Sequence, residues 1–278
     1  MKPKPISFLL TVLVIAIVGF SLISVPVAAS VWKLTTSYPT TIDQQSCVVN
    51  GGYIYCVGGY NPSPTTAVYY AKLSSTGVGV WKKTTSYPTT IGLQSCVVSG
   101  GYVYCVGGVV TSAVYYAKLT PTGIPASGPG SWKKTTSYPT SILDQSCVVI
   151  AGTVFCIGGA SPNPTSAVNY ATLSAGGVSS WTPATSYPYP IPIESQSCVE
   201  MTDNPSNIWC VGGYNGNTGL VTSTVGVFAL GSWCGVTCGL SYPTPIASQS
   251  CVISGVDVYC VGGYNGSADT NAVYIFPT

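Results

Sequence analysis

One short phrase recurs five times along this chain and limits what it can fold into. Its copies read QSCVVNGGYIYCVGGY, QSCVVSGGYVYCVGGV, QSCVVIAGTVFCIGGA, QSCVEMTDNPSNIWCVGGY and QSCVISGVDVYCVGGY, with first cysteines at Cys47, Cys96, Cys147, Cys198 and Cys251. Other landmarks keep the same period of about fifty residues. AVYYAKL occurs twice, followed by AVNYATL and AVYIF, and Trp81, Trp132, Trp181 and Trp233 are each followed by SYP. A fixed period of this size means a repeat architecture, so each repeat is one supersecondary unit that buries its apolar faces against its neighbours.

Within a period, SCVVN and YIYCV are β-branched and aromatic runs around Gly-Gly, AVYYAKL is a third such run, and the stretch around Trp81 is a fourth. No segment after residue 30 has sustained helical periodicity, and Pro, Gly, Ser and Thr fill the gaps. The expectation is an all-β fold, a five-bladed β-propeller of four-stranded antiparallel blades. The last repeat stops after its third strand, whereas an orphan copy of the fourth, VWKLTTSYP, stands near the start at Trp32. Residues 31–36 are therefore expected to close the last blade.

Gly58-Gly59, Tyr70 and Trp81, followed by a Pro-containing loop into the next repeat, resemble the kelch repeat. The resemblance covers nearly all of residues 31–278. It implies a propeller and a role as an interaction platform. Some kelch-like propellers are copper radical oxidases, but that site uses histidines and this chain has none. Phe228 replaces the tyrosine in the fourth repeat, and the paired cysteines lie outside the family pattern.

A two-residue turn at Gly51-Gly52 pairs Asn50 with Tyr53, Val49 with Ile54, Val48 with Tyr55 and Cys47 with Cys56. The cysteines form a non-hydrogen-bonded pair, with Cα atoms expected about 4.5 Å apart, at the short end of the disulfide range. The same register pairs Cys96 with Cys105, Cys147 with Cys156 and Cys251 with Cys260, and Cys198 with Cys210 across the longer loop TDNPSN. Without His or CxxC, and with each pair in its own repeat, a metal site is not expected. No lysine accompanies the pairs to activate a thiolate. Cys234 and Cys238 bracket an insertion in WCGVTCGLSYP and are expected to close a small loop of their own.

Lys2 and Lys4 precede a long apolar stretch ending in PVAAS. Residues 1–29 read as a secretory signal peptide, with an uncleaved membrane anchor as the alternative. Residues 30–278 are then the propeller, secreted or displayed at the cell surface, an oxidising setting in which disulfides persist. The chain has nine lysines, no arginine and seven acids, so once Lys2 and Lys4 are set aside the charges balance. That offers no electrostatic footprint for nucleic acid, and contact with a membrane is expected only through the N-terminal segment. No cofactor is implied.

The loops after the second strand and before the next first strand share one face of a propeller. They bring together Tyr60, Asn61, Tyr214, Asn215, Tyr264 and Asn265, with Gln45, Gln94, Gln145, Gln196 and Gln249 near the axis. Tyrosines and amides can stack on and hydrogen-bond to sugars or peptides, so a protein or glycan ligand is expected here. The plainer reading of the same residues is turn chemistry for Tyr-Asn-Gly and loop ties for the glutamines. Asp43, Asp144 and Glu194 are grouped on this face and would be the carboxylates of a glycan hydrolase, the enzymatic alternative. A purely structural surface component is the third reading, and Asn265-Gly266-Ser267 is a glycosylation sequon free of Pro.

Overall fold

The computed structural model describes residues 35–278 apart from 110, 186–188, 202–206, 230–231, 234–239, 255–256, 271 and 277–278. The signal segment, residues 31–34 of the orphan strand and the Cys234–Cys238 pair lie outside the described residues. Thr35–Thr278 forms one unit, and its described residues are strands, turns and loops with no helix.

Each repeat opens with the hairpin expected from its turn. Ser46–Asn50 (β1) and Tyr53–Val57 (β2) pair with Cys47 opposite Cys56 and Asn50 opposite Tyr53. Gly51 and Gly52 have φ of 56° and 77°, the left-handed pair a tight hairpin turn requires. Val68–Ser74 (β3) adds to β2, Gly77–Val78 (β4) folds back on its end, and Lys82–Lys83 (β5) pairs with Tyr69 and Tyr70 of β3. The fourth strand thus begins just after Trp81, and β4 is an addition to the expected four.

The second repeat comprises Ser95–Ser99 (β6), Tyr102–Val106 (β7), Val114–Lys118 (β8) and Lys133–Lys134 (β9). The third comprises Ser146–Ile150 (β10), Thr153–Ile157 (β11), Val168–Ser174 (β12), Gly177–Val178 (β13) and Thr182–Pro183 (β14). The fourth runs through Ile193–Glu194 (β15), Ser197–Glu200 (β16), Ile208–Val211 (β17), Tyr214–Asn215 (β18), Leu220–Val221 (β19), Val225–Ala229 (β20) and Ser232–Trp233 (β21). Of these, β16, β17, β20 and β21 form the main sheet, while β15, β18 and β19 form a small second one. The fifth has Ser250–Ser254 (β22), Asp257–Val261 (β23) and Val273–Phe276 (β24), with β24 at the edge among the described residues.

Alternation along each strand sends side chains to both faces of its sheet, and consecutive sheets share a core. Tyr55, Val57, Val68 and Tyr70 of the first repeat pack on Cys96, Val103, Cys105 and Ala117 of the second. Equivalent cores join the second to the third, the third to the fourth and the fourth to the fifth. Tyr55 stacks on Tyr70 with ring centroids 5.8 Å apart. Its buried hydroxyl donates to Thr120 O at 2.6 Å, in the next repeat. The SYP tyrosines have the same linking role: Tyr38, Tyr87 and Tyr138 meet the edges of Trp81, Trp132 and Trp181 at 4.9 Å.

Five disulfides, Cys47–Cys56, Cys96–Cys105, Cys147–Cys156, Cys198–Cys210 and Cys251–Cys260, cross the hairpins with Cα separations of 4.0 or 4.1 Å. They lie slightly inside the expected spacing, and each is confined to one sheet. Such bonds are consistent with an oxidising, extracellular environment.

Candidate functional site

The Gly-Gly that follows each second strand is where one repeat meets the next. Gly59 N–H donates to Ile91 O at 2.8 Å, and Gly108, Gly159 and Gly213 do the same to Ile142, Ile193 and Ile246. A Cβ on Gly58 would lie 2.5 Å from Ile91 O, so only glycine permits this approach.

A second set of bonds runs through the residue before each glutamine. Gln44, Leu93, Asp144, Ser195 and Ser248 all have positive φ, between 53° and 61°. Leu93 N–H donates to Gln44 O, Asp144 to Leu93, Ser195 to Asp144 and Ser248 to Ser195, at 2.8–3.1 Å. Such backbone is uncommon for Gln, Leu and Ser, and the repeated inter-repeat bond is what holds it. The serine before each cysteine adds a third link: Ser46 Oγ accepts from Cys96 N, and Ser95, Ser146 and Ser197 repeat the contact.

These links bring all five repeats around one cavity of about 880 Å³. Its lining includes Asp43, Gln45, Asp144, Ser195, Tyr264 and Asp269. Further along the same first strands the lining is mostly apolar, with Val49, Val98, Val149, Val199 and Val252 joined by Glu200 around a space of about 360 Å³.

The glutamines do not stand out on the face as display groups. Gln94, Gln145, Gln196 and Gln249 are buried, and each Nε2 donates to the carbonyl of Val57, Val106, Ile157 or Val211 in the preceding repeat. This corrects their expected role as exposed ligand contacts in favour of the loop-tie reading, because a main-chain carbonyl at the repeat junction needs a donor. Gln45 is half-buried and has no such bond among the described residues.

The asparagines are partly committed as well. Asn215 Oδ1 accepts from Asn217 N, and Asn265 Oδ1 accepts from Ser267 and Ala268 N, which is turn chemistry. Asn61 Nδ2 donates to Thr40 Oγ1. Tyr214 and Tyr264 are exposed, and the half-buried Tyr60 lays its ring over Gly92, where a Cβ would come within 2.3 Å.

No protein-family model and no curated protein matches the chain. The chemistry of the face therefore rests on its own residues.

Asp43 and Asp144 line the cavity, whereas Glu194 does not. Glu194 is nonetheless near enough to Asp144 to act on it. Burial, and then the negative charge of Glu194, pushes the Asp144 carboxyl up to about 6, and burial raises Glu194 too. No described lysine lines the cavity to offset this. The described lysines, Lys72, Lys82, Lys83, Lys118, Lys133 and Lys134, are exposed on β3, β5, β8 and β9. On the edge strands β5 and β9 they discourage pairing with another sheet.

The sequence reading missed Asp269, which bridges to Tyr264 and lines the cavity. Its signal was present in the loop YNGSADTN, where an acid follows the tyrosine within one tight turn. No group of three acids among the described residues converges as a metal site would.

Proposed function

We propose that the chain is an exported, kelch-like five-bladed β-propeller that binds a protein or carbohydrate ligand at its central face without catalysis. The observation carrying this reading is the polar cavity of about 880 Å³ to which all five repeats contribute, with Tyr264 in its lining. Five consecutive antiparallel sheets sharing cores with their neighbours support radial repetition. The disulfides support export.

In this reading the first described residues meet the first repeat as the end of each fourth strand meets the repeat after it. Thr35 Oγ1 accepts from Val78 N at 2.7 Å and Thr36 O accepts from Trp81 Nε1 at 3.2 Å. Thr84 and Thr85, which follow the fourth strand of the first repeat, make the same bonds to Ile124 and Trp132 of the second.

A glycan and peptide array, followed by hydrolysis assays on any glycan retained, tests the proposal. Retention without turnover is the expected result, with loss of binding in Tyr264→Ala. Saccharide release that disappears in Asp144→Asn would replace it with the hydrolase reading, which the raised, protonatable Asp144 beside Glu194 favours.

A further inference from the structure

Charges that balance along the sequence are separated in the fold. Every described lysine belongs to the first two repeats and is exposed: Lys72, Lys82 and Lys83 on β3 and β5, and Lys118, Lys133 and Lys134 on β8 and β9. No acid lies on those strands. Asp43, Asp144 and Asp269 line the central cavity, whereas Glu194, Glu200 and Asp257 belong to β15, β16 and β23. The first two repeats share a core, so their lysines form one basic surface on neighbouring sheets. Gathering like charges in this way opposes folding through self-repulsion.

The register gives this surface a repeated pattern. Residues opposite each other on paired strands project to the same face of a sheet, as do residues two apart on one strand. Lys72 is opposite Tyr53 and Lys82 is opposite Tyr70, so both lysines share a face with the half-buried Tyr53, whose ring lies 6.3 Å from that of Tyr70. Lys118 and Lys133 stand in the same way to Tyr102, 6.1 Å from Tyr116. The third repeat keeps this register, with Thr153 opposite Thr172 and Thr182 opposite Tyr170, yet it has no lysine and no tyrosine at these places. The sheet therefore forms without them. Edge protection accounts for the lysines of β5 and β9 but not for Lys72 and Lys118, whose main chains are also bonded on the other side, to Gly79 and Gly130.

We infer that the lysine-bearing strands of the first two repeats form a second binding surface, for a linear anionic polysaccharide carrying carboxylates or sulfates. Ammonium groups act as point charges and pair with either anion without the fixed fork that arginine imposes. The rings of Tyr53 and Tyr102 supply apolar faces with a polar tip, on which a sugar ring can stack between charged contacts. A chain with regularly placed charges can meet the same pattern on one repeat and then on the next. A bilayer would need apolar anchors as well, and Val80 is the one large apolar side chain exposed beside these lysines among the described residues. None of these residues lines the central cavity, so the inference stands apart from the binding reading above.

The test is calorimetric titration of the full protein at low salt with polygalacturonate, dextran sulfate and neutral dextran, beside vesicles of phosphatidylglycerol in phosphatidylcholine and a DNA duplex. At least one of the two anionic polysaccharides is expected to saturate, and neutral dextran is not. The tighter of the two identifies carboxylate or sulfate as the preferred group. Affinity is expected to fall about tenfold or more as salt rises past the point where the screening length drops to ~10 Å. The variant Lys72→Gln, Lys82→Gln, Lys118→Gln, Lys133→Gln is expected to lose at least as much while its melting remains cooperative. The variant Thr153→Tyr, Thr172→Lys, Thr182→Lys, which carries the pattern onto the third repeat, is expected to bind more tightly than the unaltered protein. No saturation by either polyanion, equal binding of neutral dextran, or undiminished binding in the lysine variant overturns the inference. Tighter binding of the vesicles or of the duplex than of both polysaccharides overturns it in favour of that partner. Should the lysine variant fail to fold, the third-repeat variant decides, and the absence of any gain there overturns the inference.

Discussion

The side-chain nitrogen of Gln145 lies 2.7 Å from the carbonyl oxygen of Val106, joining the third repeat to the second at the cavity that all five repeats line. Gln145→Leu keeps the bulk and removes the donor, leaving a buried carbonyl unpaired. A loss of about 1–3 kcal/mol in denaturant melts is expected. Gln145→Glu should cost more at neutral pH, since a carboxylate would face that carbonyl. Gln45→Leu, lacking the equivalent bond, should cost less than either.

Asp144 gives stability an unusual pH dependence. Its folded pKa, about 6, lies above the ordinary carboxylate value. Between those values the folded state holds more protons than the unfolded one, so this residue favours folding as pH falls through 6 and opposes it at higher pH. Asp144→Asn should therefore raise the melting temperature at pH 7 by an amount corresponding to about 1–2 kcal/mol, and the gain should vanish near pH 4. Asparagine also tolerates the positive φ of 55° found there. Glu194→Gln should lower the Asp144 pKa, as read by carboxyl NMR titration.

Each hairpin staple closes a short loop, with a sequence separation of 9 between Cys96 and Cys105. Chain-entropy arguments give about 2–3 kcal/mol for a loop of this size. The double substitution Cys96→Ala, Cys105→Ala should lose about that much in equilibrium unfolding, with the remaining pairs intact by non-reducing mass spectrometry.

Trp132 meets the ring of Tyr87 at 4.9 Å and donates Nε1–H to Thr85 O at 3.2 Å. Trp132→Ala should destabilise by about 3–5 kcal/mol in thermal melts.

Much of this architecture could be read from residue types. The hairpin register and four of the five described disulfides followed from the turn at Gly51-Gly52 and its counterparts, because strand alternation leaves no freedom once a two-residue turn is set, and Cys198–Cys210 followed by analogy across its longer loop. The third strands followed from their β-branched and tyrosine content. What the sequence did not reveal was long-range. Gln44, Leu93, Asp144, Ser195 and Ser248 share a left-handed backbone with no glycine to announce it, imposed by bonds to a residue one repeat away. The buried position of Gln94 and its equivalents was equally hidden, since an amide near an axis can face solvent or a neighbouring carbonyl with the same spacing. The candidate acids were only partly legible: Asp43 and Asp144 reach the cavity, Glu194 acts from beside it, and Asp269 joins them from a loop whose turn residues drew attention elsewhere.

The described staples never pass from one sheet to another, so every cysteine in them finds its mate inside its own period. A duplication or deletion of one whole period would therefore add or remove a self-contained pair and strand no thiol. Oxidative folding can proceed leaf by leaf as the chain emerges, with few opportunities for mismatched partners. The covalent chemistry is thus indifferent to how many leaves the molecule has, and only the packing between them decides that number.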